Sequence, residues 1–75
     1  MMPTVEEIKD FMQDYPDCEF EVYCDLWGEG VGVSTPEQVM EELAKESDHE
    51  EKIVLEAWNS APTRIVAEFN LRSRR

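Results

Sequence analysis

Basic side chains are scarce in this chain, which has seven Lys and Arg residues against 18 Asp and Glu and a formal net charge of −11 at pH 7. The imbalance is concentrated in the first 51 residues, which hold 16 acidic and two basic residues. Such a surplus of negative charge repels nucleic-acid phosphates and speeds encounter with basic protein surfaces. We therefore expect no direct binding of nucleic acid by the main body of the protein, and a basic protein as its partner.

Long hydrophobic runs and N-terminal targeting features are also missing. No stretch reaches the roughly 18 apolar residues of a membrane-spanning helix, and the first residues lack the basic and apolar regions of a signal peptide. The cysteines, Cys18 and Cys24, lie on one predicted strand. At about 3.3 Å per residue they are roughly 20 Å apart, which is too far for a disulfide. These features predict a cytoplasmic protein with reduced, buried thiols and no membrane partner.

Residues suited to metal binding and nucleophilic catalysis are few. The single histidine, His49, lies in a polar turn at residues 47–51 that contains carboxylates but no Cys or second His, whereas zinc requires about four ligands. Ser34, Ser47 and Ser60 lie in predicted turns or helix caps, so none is placed as a buried nucleophile beside His49. We expect no metal, no cofactor and no enzymatic activity.

Carboxylates and glycines could still form other kinds of site. General acid–base catalysis needs a desolvated carboxyl group with a raised pKa. The alternating pattern places the acids on outer faces, where we expect each carboxyl pKa to stay ordinary.

The glycine-rich segment is a second candidate. It contains Gly28, Gly30 and Gly32 around Glu29 and Val31, a pattern that fits neither the dinucleotide fingerprint nor the P-loop. No nucleotide site is therefore predicted.

Two segments have the caps and spacing of amphipathic helices. Thr4 and Glu7 form a capping-box pattern, and apolar residues recur at helical spacing over residues 5–15, where Pro16 ends the helix. A hydroxyl cap, a first-turn proline and a glutamine three residues after the cap open a second helix, which runs over residues 36–46.

Three segments alternate between apolar and polar side chains, as half-buried strands do. They are residues 18–26, 53–58 and 65–71, and a five-residue breaker at 59–63 between the last two predicts a hairpin. Residues 27–33, with three glycines, are expected to form a loop or a bent extension of the first strand.

The predicted fold class is α+β, with a single small domain over residues 1–71 in the order αβαββ. Both helices pack on one face of a three-stranded, mainly antiparallel sheet, and the alternation places Leu26 and Ile65 on that buried face. Residues 72–75 form a basic C-terminal tail.

The opposite face of this sheet combines carboxylates with aromatic side chains, which are typical anchors of protein interfaces. The residues predicted to contact a partner are Glu19, Glu21, Tyr23, Asp25, Glu56, Trp58 and Glu68. A second acidic surface, on the outer side of the second helix, consists of Glu37, Glu41, Glu42 and Glu46.

The segment GVSTPEQVMEE at residues 32–42 resembles a helix opening found in one acidic anti-CRISPR family and covers about a seventh of the chain. Small size and rows of carboxylates are also similar to the wider class of phage-encoded inhibitors and DNA mimics. This chain departs from that family in its N-terminal helix and its basic C-terminus. The resemblance implies that carboxylates occupy a basic site on a nucleic-acid-binding protein, where phosphates otherwise lie.

These observations favour a non-enzymatic, acidic protein-binding module that occupies a basic and nucleic-acid-binding surface of a partner, as an inhibitor and DNA mimic. The alternative is a homodimeric structural or assembly protein whose acidity serves solubility. Its dimer contacts would be Tyr23, Val54, Trp58 and Val66. A third function is that of an adaptor whose arginines touch nucleic acid while the acidic body recruits a protein. Those arginines are Arg64, Arg72, Arg74 and Arg75.

Overall fold

The structure, a computed structural model, describes residues 3–45 and 52–72 of the chain. Its helices and strands follow one another as α1 (Val5–Gln13), β1 (Glu19–Cys24), β2 (Val31–Val33), α2 (Pro36–Lys45), β3 (Ile53–Ser60) and β4 (Thr63–Arg72), with a short 3₁₀ helix at Asp25–Trp27 between β1 and β2. The α+β class is confirmed. The predicted order αβαββ is wrong, because the described elements repeat an αββ unit twice.

The four strands form one antiparallel sheet in the order β2-β1-β3-β4. β2 was not predicted as a separate strand because it is three residues long and contains Gly32. The 3₁₀ helix and Gly28, with φ at +78°, reverse the chain after β1. Val33 then pairs with Phe20, so β2 becomes an edge strand beside β1.

Both helices begin at the caps that the sequence predicts. At α1, the Thr4 hydroxyl accepts a hydrogen bond from the Glu7 amide at 3.1 Å, and the Glu7 carboxylate accepts one from the Thr4 amide at 2.8 Å. At α2, the Thr35 hydroxyl accepts from the Gln38 amide at 3.2 Å. Such caps satisfy amide groups that have no partner within the helix.

The core lies between the two helices and one face of the sheet. Helix residues Ile8, Met12, Val39 and Leu43 belong to the same buried cluster as strand residues such as Leu55. Burying a side chain of this size contributes about 1.5–3 kcal/mol relative to exposure. The prediction that both helices pack on one face of the sheet is therefore confirmed, and the other face is left without a covering layer in the described residues.

Two side chains expected in the core lie outside it. Leu26 is 69% exposed because the strand stops at Cys24 and the 3₁₀ helix turns its side chain outward. Ile65 is 39% exposed because the pairing of β3 with β4 slips between Ala57 and Trp58, so that Ile65 lies opposite Trp58. A β-bulge of this kind breaks the alternation, so Ile65, on the hairpin side of the bulge, points to the face opposite to that of Ala67.

The ends of the predicted strands also differ in detail. The β3–β4 hairpin is confirmed, but its loop is the dipeptide Ala61-Pro62 rather than five residues. β4 extends to Arg72, a residue assigned to the tail from the sequence, and residues 73–75 lie outside the described part. Neither α1 nor α2, the helices in the described ranges, has the length and apolar character needed to cross a bilayer.

Candidate protein-interaction surface

The face of the sheet that points away from the helices is the candidate site, and we call it the acidic face. Strand alternation places on it the residues that lie between core positions such as Val22 and Leu55. Among its members are Glu19, Glu21, Tyr23, Val54, Glu56, Trp58 and Glu68, and the slipped pairing adds Ile65 beside Trp58.

A row of three carboxylates crosses the acidic face. Glu21 of β1 is the cross-strand partner of Glu56 of β3, and Glu56 is the partner of Glu68 of β4. Neighbouring strands lie about 4.8 Å apart, so each carboxylate has another like charge beside it. Like charges directly opposite each other destabilise a sheet. The row is therefore an energetic cost that the rest of the fold offsets.

Glu56, at the centre of this row, is only 4% exposed. Burial raises the pKa of its carboxyl group, and the charges of Glu68 and Glu21 raise the pKa further. A hydrogen bond of 3.1 Å from Nε1 of Trp58 acts in the opposite direction, because it stabilises the ionised form. The expectation that the carboxylates on this face have ordinary pKa values is wrong for Glu56.

One open depression of about 450 Å³ lies at the hairpin end of the acidic face. Its chemically distinctive lining residues are Glu19, Glu21, Tyr23, Glu29 and Trp58. We call it the aromatic–acid depression. It combines three carboxylates with two aromatic rings, and none of the described residues that line it is basic.

The loop that precedes β2 closes one side of the aromatic–acid depression. Gly30 lies so close to Glu21 that a side chain at position 30 would collide with the Glu21 carboxylate. This approach explains the glycine, since any larger residue would displace the Glu21 side chain. It also brings Glu29, which the sequence analysis did not select, to the same depression as Glu19 and Glu21.

A second depression of about 200 Å³ lies on the other side of Tyr23, at the end of the acidic face opposite to the hairpin. It is lined by Tyr23, Asp25, Lys52, Val54, Glu56 and Glu68. Lys52 places one positive charge beside three carboxylates there, so this depression is less negative than the aromatic–acid depression. Lys52 was also missed from sequence, because it precedes the alternating run of β3.

The seven residues predicted to contact a partner are brought together around these two depressions. Asp25 reaches the site from the 3₁₀ helix rather than from a strand. Glu56 lies among the others, but its burial leaves it little surface for direct contact with a partner. Its neighbours Glu19 and Glu68 are exposed, so they offer their carboxylates to solvent.

The second predicted acidic surface lies on α2, remote from the sheet's acidic face. Glu37 and Glu41 are exposed, whereas Glu42 is half-buried and forms an ion pair of 2.9 Å with Lys45. Exposed pairs of this type contribute about 0.2–1 kcal/mol. Glu46 lies outside the described residues.

Other chemistry is limited in the parts of the chain that the structure describes. No three His, Cys, Asp or Glu side chains in residues 3–45 and 52–72 are placed to hold a metal ion. His49 and its neighbouring carboxylates lie outside these ranges. Neither Cys18 nor Cys24 forms a disulfide, and Cys24 is buried as predicted, whereas Cys18 is half-buried.

Comparison of the chain with protein-family models, with curated proteins and with solved structures found no match.

Proposed function

We propose that this protein is a non-enzymatic binding module whose acidic face occupies a basic, nucleic-acid-binding surface of a partner protein. The observation that carries the proposal is the aromatic–acid depression. Its three carboxylates surround Tyr23 and Trp58 on a sheet face that the described helices leave uncovered.

The charge of the whole chain supports a basic partner. A net charge of −11 produces a field that accelerates encounter with a positive surface and disfavours acidic competitors. Close contact then brings Lys or Arg side chains to the carboxylates, where charge-assisted hydrogen bonds form. Half-buried aromatic rings at the centre of the face supply apolar contact area, which charge alone does not provide.

The more specific form of the proposal is inhibition by DNA mimicry, as in anti-CRISPR proteins and related phage-encoded inhibitors. Carboxylates at fixed positions on neighbouring strands can take the places of phosphates in the partner's groove. Strand pairing fixes the backbones of Glu19, Glu21 and Glu68, so binding has to order only their side chains. A cytoplasmic location is part of the proposal, because cysteines outside disulfides, as Cys18 and Cys24 are, are typical of proteins in reducing compartments.

The test is capture of partners from a lysate of the source organism at low and high salt, with mass spectrometry of the eluate. A triple charge reversal on the acidic face (Glu19→Lys, Asp25→Lys and Glu68→Lys) should abolish capture of a basic protein. The matched control reverses three exposed helix carboxylates (Glu6→Lys, Glu37→Lys and Glu41→Lys) and changes the net charge equally. We expect this control to retain most of the binding.

Three outcomes separate the proposal from its rivals. Release of a nucleic-acid-binding protein by salt, and by competing nucleic acid, supports mimicry. Equal loss of binding in both triple variants would move the site away from the acidic face. If the tagged protein captures no partner and sediments as a dimer, the homodimeric alternative is favoured. In that dimer the half-buried Tyr23, Trp58 and Val66 would meet across the interface.

A further inference from the structure

The aromatic–acid depression has a more specific chemistry than negative charge alone. Trp58 lies directly across from Glu19 in the pairing of β1 with β3, and Tyr23 follows Glu21 on the same face of β1. The rings and carboxylates therefore alternate within a small area. A ligand that is both cationic and able to stack on an aromatic ring uses both kinds of side chain.

The ring of Trp58 is held in place before any ligand binds. Its Nε1 donates to Oε1 of Glu56 at 3.1 Å, and Glu56 is itself buried in the sheet. The Glu21 carboxylate lies close to Gly30, so this loop limits the space open to it on one side. Fixed groups lose little conformational freedom on binding, so this depression is suited to recognising a group of defined shape.

We infer that the aromatic–acid depression is a binding site for the guanidinium group of an arginine side chain on the basic partner. The inference rests on the proposed function and specifies the residue type that the partner inserts. A guanidinium is planar, stacks on aromatic rings and donates paired hydrogen bonds to a carboxylate. A lysine ammonium is more strongly hydrated and makes neither the stacked nor the paired contact as well.

The charge of the depression favours this occupant, and its size admits it. Ligand sites in proteins commonly measure about 300–1,000 Å³, and about 450 Å³ is near the lower end of that range. Its carboxylates from Glu19, Glu21 and Glu29 repel anions. A metal ion is a poorer candidate, since no described group of acidic, His or Cys side chains has an arrangement that would hold one.

The test uses a single amino-acid probe, N-acetyl-arginine amide, titrated into the full-length protein. The indole N–H resonance of Trp58 and the backbone amide resonances of α2 are followed by ¹H–¹⁵N NMR. α2 packs on the opposite face of the sheet, so its amides serve as an internal control. We expect a saturable shift of the Trp58 resonance, a weaker response to N-acetyl-lysine amide, and little response to N-acetyl-citrulline amide. Citrulline has nearly the shape of arginine but no charge.

Two single substitutions locate the binding. Glu19→Gln removes one carboxylate from the depression and should weaken arginine binding by about two- to fivefold, the range for a solvent-accessible charge pair. Glu37→Gln makes the same change on α2 and should leave the affinity unaltered. Both positions are exposed, so both variants are expected to fold, and the NMR spectrum confirms it.

The inference is overturned if citrulline shifts Trp58 as much as arginine does, or if Glu37→Gln weakens binding as much as Glu19→Gln. It is also overturned if a partner bound through the acidic face keeps its affinity in the Glu19→Gln and Glu29→Gln variants. In that last case the proposed function stands without the arginine site. If arginine binds as expected but the charge-reversed acidic face still captures the same partner, the proposed function fails instead.

Discussion

Nε1 of Trp58 donates a hydrogen bond of 3.1 Å to Oε1 of Glu56, two residues earlier on the same strand and on the same face of the sheet. This bond joins the only described acidic residue of the buried set to an aromatic ring that lines the candidate site. It stabilises the ionised form of Glu56 against the effects of burial and of two neighbouring carboxylates. The stability of the sheet and the shape of the candidate interaction surface are therefore coupled through one contact.

Replacing Glu56 with glutamine should stabilise the protein at neutral pH. The pKa of Glu56 is raised in the folded state. The stability that this shift contributes is therefore fully present below the ordinary glutamate pKa of about 4.3. It is lost as the pH rises through the raised pKa. Glutamine carries no charge and still accepts from Trp58. Urea unfolding between pH 4 and pH 8 should show a smaller fall in the free energy of unfolding for Glu56→Gln than for the wild type. The exposed Glu37→Gln variant controls for net charge, and an equal effect there would contradict the assignment.

Replacing Trp58 with phenylalanine should raise the pKa of Glu56 further. The substitution keeps an aromatic ring but removes the donor that favours the carboxylate. A titration followed by the ¹³C resonance of the Glu56 side-chain carboxyl measures the change directly. A lower pKa in the variant would mean that the hydrogen bond does not stabilise the ionised form.

Alanine at position 30 should impair the acidic face without changing its charge. A Cβ at this position would collide with Glu21, whereas one at position 32 would have open space around it. Gly30→Ala should therefore displace the Glu21 carboxylate and weaken binding of arginine or of a basic partner. Gly32→Ala should have no such effect. The affinity of each variant for N-acetyl-arginine amide is measured by the same NMR titration. Identical affinities for the two variants would argue against the close approach at Gly30.

The same leucine-to-alanine change should have a large effect on stability at one position and almost none at another. Leu55 is completely buried on β3, so Leu55→Ala is expected to cost about 2–5 kcal/mol of unfolding free energy. Leu26 lies largely in solvent on the 3₁₀ helix, and Leu26→Ala should change the stability by less than about 0.5 kcal/mol. Urea denaturation of the two variants measures the difference, and similar losses would show that Leu26 contributes to the core.

Removal of the cap of α2 gives a smaller, separable effect. Thr35→Ala deletes the hydroxyl that accepts from the Gln38 amide, and such losses typically cost about 1 kcal/mol. Thr35→Ser retains the acceptor and should stay close to the wild type. Thermal unfolding of the two variants measures the contribution, and equal melting temperatures would indicate that the cap is not formed in solution.

Local patterns in the sequence were sufficient to predict both helices and three of the four strands. The Thr4 and Thr35 caps act over three residues, and strand alternation has a period of two, so both can be read without knowledge of distant contacts. β2 could not be predicted in this way. Its three residues form a strand only because Val31 and Val33 meet β1 after the chain reverses near Gly28.

The sequence predicted most of the residues of the candidate site, but not how they are buried or positioned. Alternation placed Glu19, Glu21 and Trp58 on one face, as the structure has them. The burial of Glu56 could not be foreseen, because it arises from the neighbouring strands and from the indole of Trp58 rather than from its own position in the pattern. Glu29 was missed for a related reason, since it joins the site only when the glycine-containing loop folds against β1.

The sequence by itself determined the charge, the helix caps and the division of each strand into an apolar and a polar side, because these depend on residue type and short-range spacing. The tertiary structure decided which strands became neighbours, where the bulge turned Ile65 outward and that the Glu56 carboxyl group was desolvated. Those outcomes depend on contacts between residues far apart in the chain, for which local spacing carries no information.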